Sequence, residues 1–449
     1  MNKFNQYNVC VVGLGFVGLP MSVVISNSKF KNNYFKVYGL EKETNEGKQI
    51  VSNIKNNIFN INCEDKILEE KYYSSLKKKR LIPTLDKNVL SFCKTILVSV
   101  SFDKFDNKFR NLIEITTNIF NLAKSGSTII YETTFVPGTF EKILLPLIQK
   151  IISKRGLGIH NFYIGYSYER VMPGNNYYNS IYNNFRVFSA INKTSKKIVK
   201  NFFSKIINVK KFPLTQLETV TECEAAKILE NSYRAINIAF IDEWTRYSES
   251  INLDLLEIIR SVKKRDSHKN IMLPGLGVGG YCLTKDPYFI KSSQKLFNIK
   301  SSGFPITDLA MKVNSQMPKT SLNFILKKVN IKKMKNILFL GLSYKGEVGD
   351  MRSSQSIQLM NLIKVINKKA NLIVHDFYND KFSDSEIFKN LKKFDLILFC
   401  TNHKKYLKED FKNLKKNCVL FDLNNVLSAK QVRKIKKKSK VYVLGRKNS

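Results

Sequence analysis

The residues with the clearest chemical potential stand together in Pro274-Gly275-Leu276-Gly277-Val278-Gly279-Gly280-Tyr281-Cys282-Leu283-Thr284-Lys285-Asp286. Four glycines within six positions place backbone close to another group, because glycine adopts positive φ at no steric cost and leaves room beside it. A thiol, an ammonium and a carboxylate follow directly. A cysteine on such a loop, with a cation nearby, can be held partly as thiolate, the form that attacks carbonyl carbon. The same letters also describe a tight turn with an inert thiol, since free cysteine commonly packs as a small hydrophobe. The rest of the chain decides between the two.

A second chemical stretch lies near the start. The apolar, β-branched run Tyr7 to Val12 leads into Gly13-Leu14-Gly15-Phe16-Val17-Gly18 and then a helical run from Leu19 to Ser26. In strand-turn-helix context the first glycine makes the turn, the second admits a pyrophosphate and the third lets the helix pack on the strand. The helix N-terminus adds free N–H groups and a positive dipole end. A further strand, Phe35 to Leu40, ends at Glu41, where an acid suits the ribose hydroxyls of NAD and repels the extra phosphate of NADP; Lys42 beside it works the other way.

Strands read at Thr95 to Val100, Ser127 to Tyr131 and Phe162 to Ile164 alternate with helical stretches, predicting a parallel, doubly wound α/β sheet. The turns Glu132-Thr133-Thr134-Phe135-Val136-Pro137-Gly138-Thr139 and Gly165-Tyr166-Ser167-Tyr168-Glu169-Arg170-Val171-Met172-Pro173-Gly174 follow two of them, at the strand ends where such sheets bind ligands. A long helix is predicted from about Thr219 to Ser250. Lys227, Asn231 and Arg234 share one of its faces, which is either its solvent side or a polar site wall. Its apolar residues surround much of its circumference, as in a spine between domains or a dimer seam. Helices continue to about Val329, with Met317-Pro318 as a break. A second α/β unit opens with Asn336 to Leu340 and Gly341-Leu342-Ser343-Tyr344-Lys345-Gly346-Glu347-Val348-Gly349-Asp350-Met351-Arg352, whose cations suit an anionic nucleotide.

Composition narrows the class. A chain of 449 residues exceeds one core and predicts two or three domains. No apolar run is long enough to span a bilayer, and the opening residues lack a signal-peptide pattern, so a soluble, cytoplasmic protein is expected. The seven cysteines are scattered singly, which excludes a disulfide framework and a zinc site and fits reduced thiols. The net charge of +39 is mostly lysine spread along the chain, so nucleic-acid binding is not expected from it.

In order along the chain, G-L-G-F-V-G-L-P, E-T-T-F-V-P-G-T, Y-E-R-V-M-P-G, E-A-A-K-I-L-E-N, P-G-L-G-V-G-G-Y-C-L-T-K-D and Y-K-G-E-V-G-D-M-R-S-S resemble the nucleotide-sugar 6-dehydrogenases, the UDP-glucose and GDP-mannose dehydrogenase group. The resemblance covers nearly the whole length. It implies two Rossmann-like domains joined by a helical one: 1–208 for NAD, 209–325 with the catalytic cysteine and a dimer seam, and 326–449 for the UDP-sugar. It also implies twofold oxidation of a primary alcohol to a uronate, by way of a thiohemiacetal and a thioester on Cys282. Lys227 and Asn231 match oxyanion-stabilising positions, Asp286 and Thr134 match residues that place water and move protons, and Glu169 matches the acid assisting thioester hydrolysis. Gly13, Gly15, Phe16, Val17, Gly18, Glu41, Thr134 and Lys345 match cofactor positions. Glu169, Lys227, Asn231, Gly279, Lys285 and Arg352 match substrate positions. A homodimer or larger homo-oligomer is implied, with Arg265 standing near the family's cross-dimer arginine.

Three departures stand out. Tyr168 replaces a usual proline, Pro173 stands where some members carry a second glutamate, and Ser99-Val100-Ser101 replaces a proline-containing segment along the cofactor. The E-T-T, Y-E-R and E-A-A-K segments look closer to dehydrogenases of UDP-2-acetamido sugars, which feed surface polysaccharide synthesis, than to those of UDP-glucose, the alternative. A β-hydroxyacid dehydrogenase would need neither Cys282 nor the second α/β unit. A non-catalytic nucleotide- or polyanion-binding protein is the reading from outside enzymology.

Overall fold

The computed structural model describes residues 5–30, 32–61, 63–100, 109–300, 303–411 and 413–447, so Ser101 lies outside the described residues. They form two compact units, one of residues 1–229 with 288–302 and one of 230–287 with 303–449.

The first unit is built on strands β1 (Asn5–Val12), β2 (Lys36–Leu40), β3 (Leu81–Thr84), β4 (Cys93–Val98), β5 (Thr128–Tyr131), β6 (Tyr163–Tyr166), β7 (Val187–Ala190) and β8 (Thr215–Gln216). Their order is β8-β7-β6-β5-β4-β1-β2-β3. Aliphatic residues fill both faces: Val12, Ile96, Val98 and Ile129 pack on one side, Val11, Val37, Leu97 and Ile130 on the other. That is why these strands read as continuous apolar runs rather than alternating ones. All pairings are parallel except β6 with β7, where Gly165 faces Ala190 in antiparallel register. Strands β3, β7 and β8 had no clear signature. β3 carries Pro83, which a sheet tolerates because β3 is its edge strand, and β8 has two residues.

The chain reverses direction across the sheet between β1 and β4, which opens a crevice at their carboxyl ends. Gly13, Glu41, Ser99, Glu132 to Thr134 and Ser167 to Glu169 all follow strands at that edge.

The spine helix Val220–Ser250 begins in the first unit and continues into the second. The second unit's sheet contains β9 (Asn336–Leu340), β10 (Asn371–His375), β11 (Leu396–Phe399), β12 (Val419–Asp422) and β13 (Lys440–Val443), all parallel, in the order β10-β9-β11-β12-β13. Its switch point lies between β9 and β11. Pro318 does not break the chain as expected: helix Pro305–Leu326 runs straight through it. Proline removes one intrahelical bond, but Met317, Leu322, Phe324 and Ile325 are buried, and buried Asn314 donates to the Ala235 carbonyl at 2.9 Å. Tertiary packing outweighs the local loss.

Candidate active site

In the glycine turn, Gly13 has φ +90°, and a side chain there would meet the Ser99 carbonyl at 3.0 Å. A side chain on Gly18 would strike the Gly13 carbonyl. Gly15 has open space where its Cβ would stand, leaving bare backbone for a pyrophosphate. Phe16 and Val17 complete the turn, and Val17 offers no side-chain cap to helix Gly18–Ser26, whose N-terminus is thus open to an anion. The Tyr177 hydroxyl donates to the Phe16 carbonyl and fixes the turn from behind. Glu41 ends β2; its carboxylate accepts from Leu14 N–H and, at 3.3 Å, from Lys42 N–H, while burial pushes its pKa up. Lys42 turns to Glu114 at 2.7 Å, so its cation is engaged there. These residues fit a dinucleotide with free ribose hydroxyls.

The Glu132–Gly138 turn follows β5. The Thr133 hydroxyl donates to Val100 O at 2.8 Å, and Thr134, next in line, is half-buried. Glu224, on the spine helix, accepts from Gly138 N–H at 2.6 Å and Phe140 N–H at 2.9 Å, and burial lifts its pKa to about 8. One helical turn on, Lys227 donates to the Glu169 carbonyl at 2.8 Å and pairs with its carboxylate at 3.3 Å, both side chains nearly buried. Glu169 also accepts from Val171 N–H at 2.6 Å. Tyr168 fills the expected proline position as a buried ring, with the Arg170 guanidinium donating to its hydroxyl at 2.9 Å. The stripe on the spine helix is therefore a site wall at Lys227.

In the second unit Asn231 donates to Asp286 at 2.7 Å, and Lys285 donates to the other carboxylate oxygen at 2.6 Å. Asp286 and Lys285 are buried. Lys285 N–H and Asp286 N–H both point back to the Cys282 carbonyl, at 3.1 and 2.9 Å. Cys282 is half-buried at the head of this turn. The Lys285 ammonium pairs with Asp286. The Cys282 charge also bears on Arg352, whose pKa is raised despite burial by its bonds to Asp350 and by the charges of Asp350, Tyr344 and Cys282. For the other six cysteines burial pushes the thiol up, to about 12 at Cys63, Cys93, Cys223 and Cys418 and further at Cys10 and Cys400. Those are inert thiols.

Gly280 has φ +82° and donates to Arg352 O at 2.9 Å; a side chain on it would meet the Tyr344 ring at 2.7 Å. A side chain on Gly279 would meet Ser353 O at 2.8 Å. The glycines therefore let the thiol loop lie flat against the loop after β9, which carries Tyr344, Lys345 and Arg352. Burial and the Arg234 charge lower the Lys345 pKa.

Tyr344, Asp376 and His403 escaped the sequence reading. Asp376 had a signal, an acid ending the second strand of an α/β unit as Glu41 does; His403 had none. No group of side chains suited to a metal occurs among the described residues.

The models of the UDP-glucose/GDP-mannose dehydrogenase family match residues 7–207 (NAD binding domain), 221–316 (central domain) and 338–429 (UDP binding domain). The chain is 26% identical over 427 residues to the UDP-N-acetyl-D-mannosamine dehydrogenase of Pyrococcus horikoshii, covering 93% of this chain and 96% of that protein. It is 26% identical over 444 residues to Protein CapL of Staphylococcus aureus, covering 95% and 97%. The solved structure of a UDP-D-ManNAc dehydrogenase from Pyrococcus horikoshii superposes with a TM-score of 0.82 at 22% identity, covering 98% of this chain and all of that one.

Proposed function

This chain belongs to the UDP-glucose/GDP-mannose dehydrogenase family, an NAD-dependent nucleotide-sugar dehydrogenase, and from that premise we propose that it oxidises the C6 primary alcohol of a UDP-2-acetamido sugar twice, to the uronate, through Cys282. NAD, when bound, accepts one hydride in each oxidation. Within the chain, Lys227 and Asn231 stabilise the oxygen that gains charge, as an ammonium and an amide do in a site shielded from water. Cys282 adds to the C6 aldehyde, giving a thiohemiacetal with a tetrahedral carbon that again carries a hydride. Loss of that hydride leaves a thioester, and water cleaves it to the carboxylate, returning the thiol. Asp286 and Thr134 position groups for proton transfer, and Glu169 serves the hydrolysis. Gly279, Lys285 and Arg352 hold substrate, while Gly13 to Gly18 and Glu41 hold the dinucleotide. Lys345 is proposed to lie near the phosphates.

The observation that carries this reading is the Cys282 turn, whose carbonyl is bracketed by the N–H groups of Lys285 and Asp286 while Asp286 binds Asn231. The named relative supports the acetamido sugar. We also propose domains at 1–208, 209–325 and 326–449, a cytoplasmic location, a role in surface polysaccharide synthesis and a homodimer or larger homo-oligomer. No helix of the described residues is long and apolar enough to cross a membrane. NADH formation against UDP-N-acetylmannosamine, UDP-N-acetylglucosamine, UDP-N-acetylgalactosamine, UDP-glucose and GDP-mannose tests the substrate class. An acetamido sugar should give the highest kcat/KM; a clear preference for UDP-glucose would sink that choice and leave the chemistry standing.

A further inference from the structure

The loop from Gly341 to Ser354 joins β9 to helix Gln355–Ile366 and carries neither helix nor extended strand, yet it holds Tyr344, Lys345 and Arg352 against the thiol loop. Something outside it must fix its shape. Two buried side chains reach it from the ends of the neighbouring strands. Asp376, after β10, accepts at one oxygen from Leu342 N–H at 2.7 Å, Ser343 N–H at 2.9 Å and the Ser343 hydroxyl at 2.8 Å. His403, after β11, meets the same oxygen through Nε2 at 3.2 Å and Glu347 N–H through Nδ1 at 2.9 Å. Both side chains are fully buried.

The backbone N–H of Glu347 can only donate, so Nδ1 is the bare acceptor and Nε2 carries the proton given to Asp376. Glu347 itself has φ +64°, a left-handed conformation that residues with a side chain adopt rarely and keep only when their surroundings hold them. Two contacts hold this one, the His403 bond and the Glu347 carboxylate accepting from Lys404 N–H at 2.7 Å, and Gly346 permits the approach, since a side chain on it would stand 2.5 Å from Asn402 O. Asp376 secures the start of the loop and His403 its middle.

We propose that His403 is a positioning residue for the nucleotide-sugar site: through Glu347 N–H it holds the Tyr344–Arg352 stretch in the shape that takes the nucleotide and faces Cys282. It touches no substrate itself. The assignment rests on the reading of this loop as a nucleotide-sugar contact.

The test uses the full chain, UDP alone as ligand, and two readouts: UDP affinity by calorimetry and amide exchange across residues 342–352. His403→Gln cannot make both bonds with the ring's geometry, so it should bind UDP about tenfold more weakly and exchange in this segment about tenfold faster, with NAD affinity unchanged. Glu347→Gly removes the left-handed cost, because glycine occupies that conformation freely. Added to His403→Gln, it should recover most of the UDP affinity, which a merely structural histidine would not allow. Parent-like affinity and exchange in a folded His403→Gln, or a double variant no better than the single one, overturns the proposal. If His403→Gln does not fold, Gly346→Ala, whose Cβ would stand 2.5 Å from Asn402 O and push the Glu347 N–H off His403 while leaving the His403–Asp376 pair intact, should weaken UDP binding severalfold, and parent-like binding overturns the proposal. A parent chain that does not bind UDP would refute the nucleotide reading, while the exchange measurement still decides the clamp.

Discussion

At the residue scale the chemistry divides into a thiol that must react and carboxylates that must be ready when it has. Glu169 is held by Lys227 and by Val171 N–H, so its negative charge has partners before any substrate arrives. In the proposed mechanism Glu169 is the acid that serves hydrolysis, with Pro173 four positions on. Glu169→Gln should therefore form the thioester and stall: intact-mass measurement after mixing with NAD and sugar nucleotide should find the acyl group on Cys282, with turnover down at least about a hundredfold. Turnover at near the parent rate, with no acyl enzyme, would remove Glu169 from the mechanism. Residue types and their order along the chain were legible in the sequence; their pairings were not. Lys285 stands three positions after Cys282 and its ammonium pairs with the adjacent Asp286, while Arg352, seventy positions away, also feels the charge of the thiol. Charge pairing depends on side-chain direction in three dimensions, which spacing does not encode.

At the scale of elements, the strand-turn-helix of residues 5–26 and the helix Val220–Ser250 were readable because their apolar periods are long and bounded by glycine or by polar residues. β3, β7 and β8 were not, being short or interrupted by proline. The spine helix is tied to the Glu132–Gly138 turn by Glu224, and this tie has a pH signature. Burial raises the Glu224 pKa from 4.5 to about 8, opposed by the two N–H bonds. Between those values the folded chain binds a proton that the unfolded chain releases, so stability falls as pH rises from about 4.5 through 8. Glu224→Gln removes the titrating group, and one of the two N–H bonds with it because an amide NH2 cannot accept, so it should lack this slope. The gap in unfolding free energy between the two proteins should close or reverse towards pH 8 by an amount on the order of a few kcal/mol. Denaturant melts at pH 5.5 and 8.5 measure it; parallel pH dependence would show that Glu224 is ionised throughout.

At the scale of the whole molecule, the spine helix leaves Tyr233, Phe240, Trp244 and Tyr247 exposed at 58, 50, 40 and 53%, at spacings that keep them on one side. The aromatic rings touch one another along it, Phe240 to Trp244 at 6.3 Å and Trp244 to Tyr247 at 5.7 Å. Such a row is large for a free surface and suits a second copy of the chain. On the proposed self-association, Trp244→Glu should lower the mass seen by light scattering to that of a monomer without altering UDP affinity; a mass unchanged from the parent's would remove this row from the subunit contact. The proposed activity requires two oxidations passing through one thiol. Its most direct test is the amount of NADH formed per sugar nucleotide consumed, for the parent and for Cys282→Ser. The parent should give two NADH and one uronate, and the variant should lose net turnover by about a thousandfold or more while still binding NAD and UDP. One NADH per sugar in the parent, or uronate released by Cys282→Ser at near the parent rate, would contradict it.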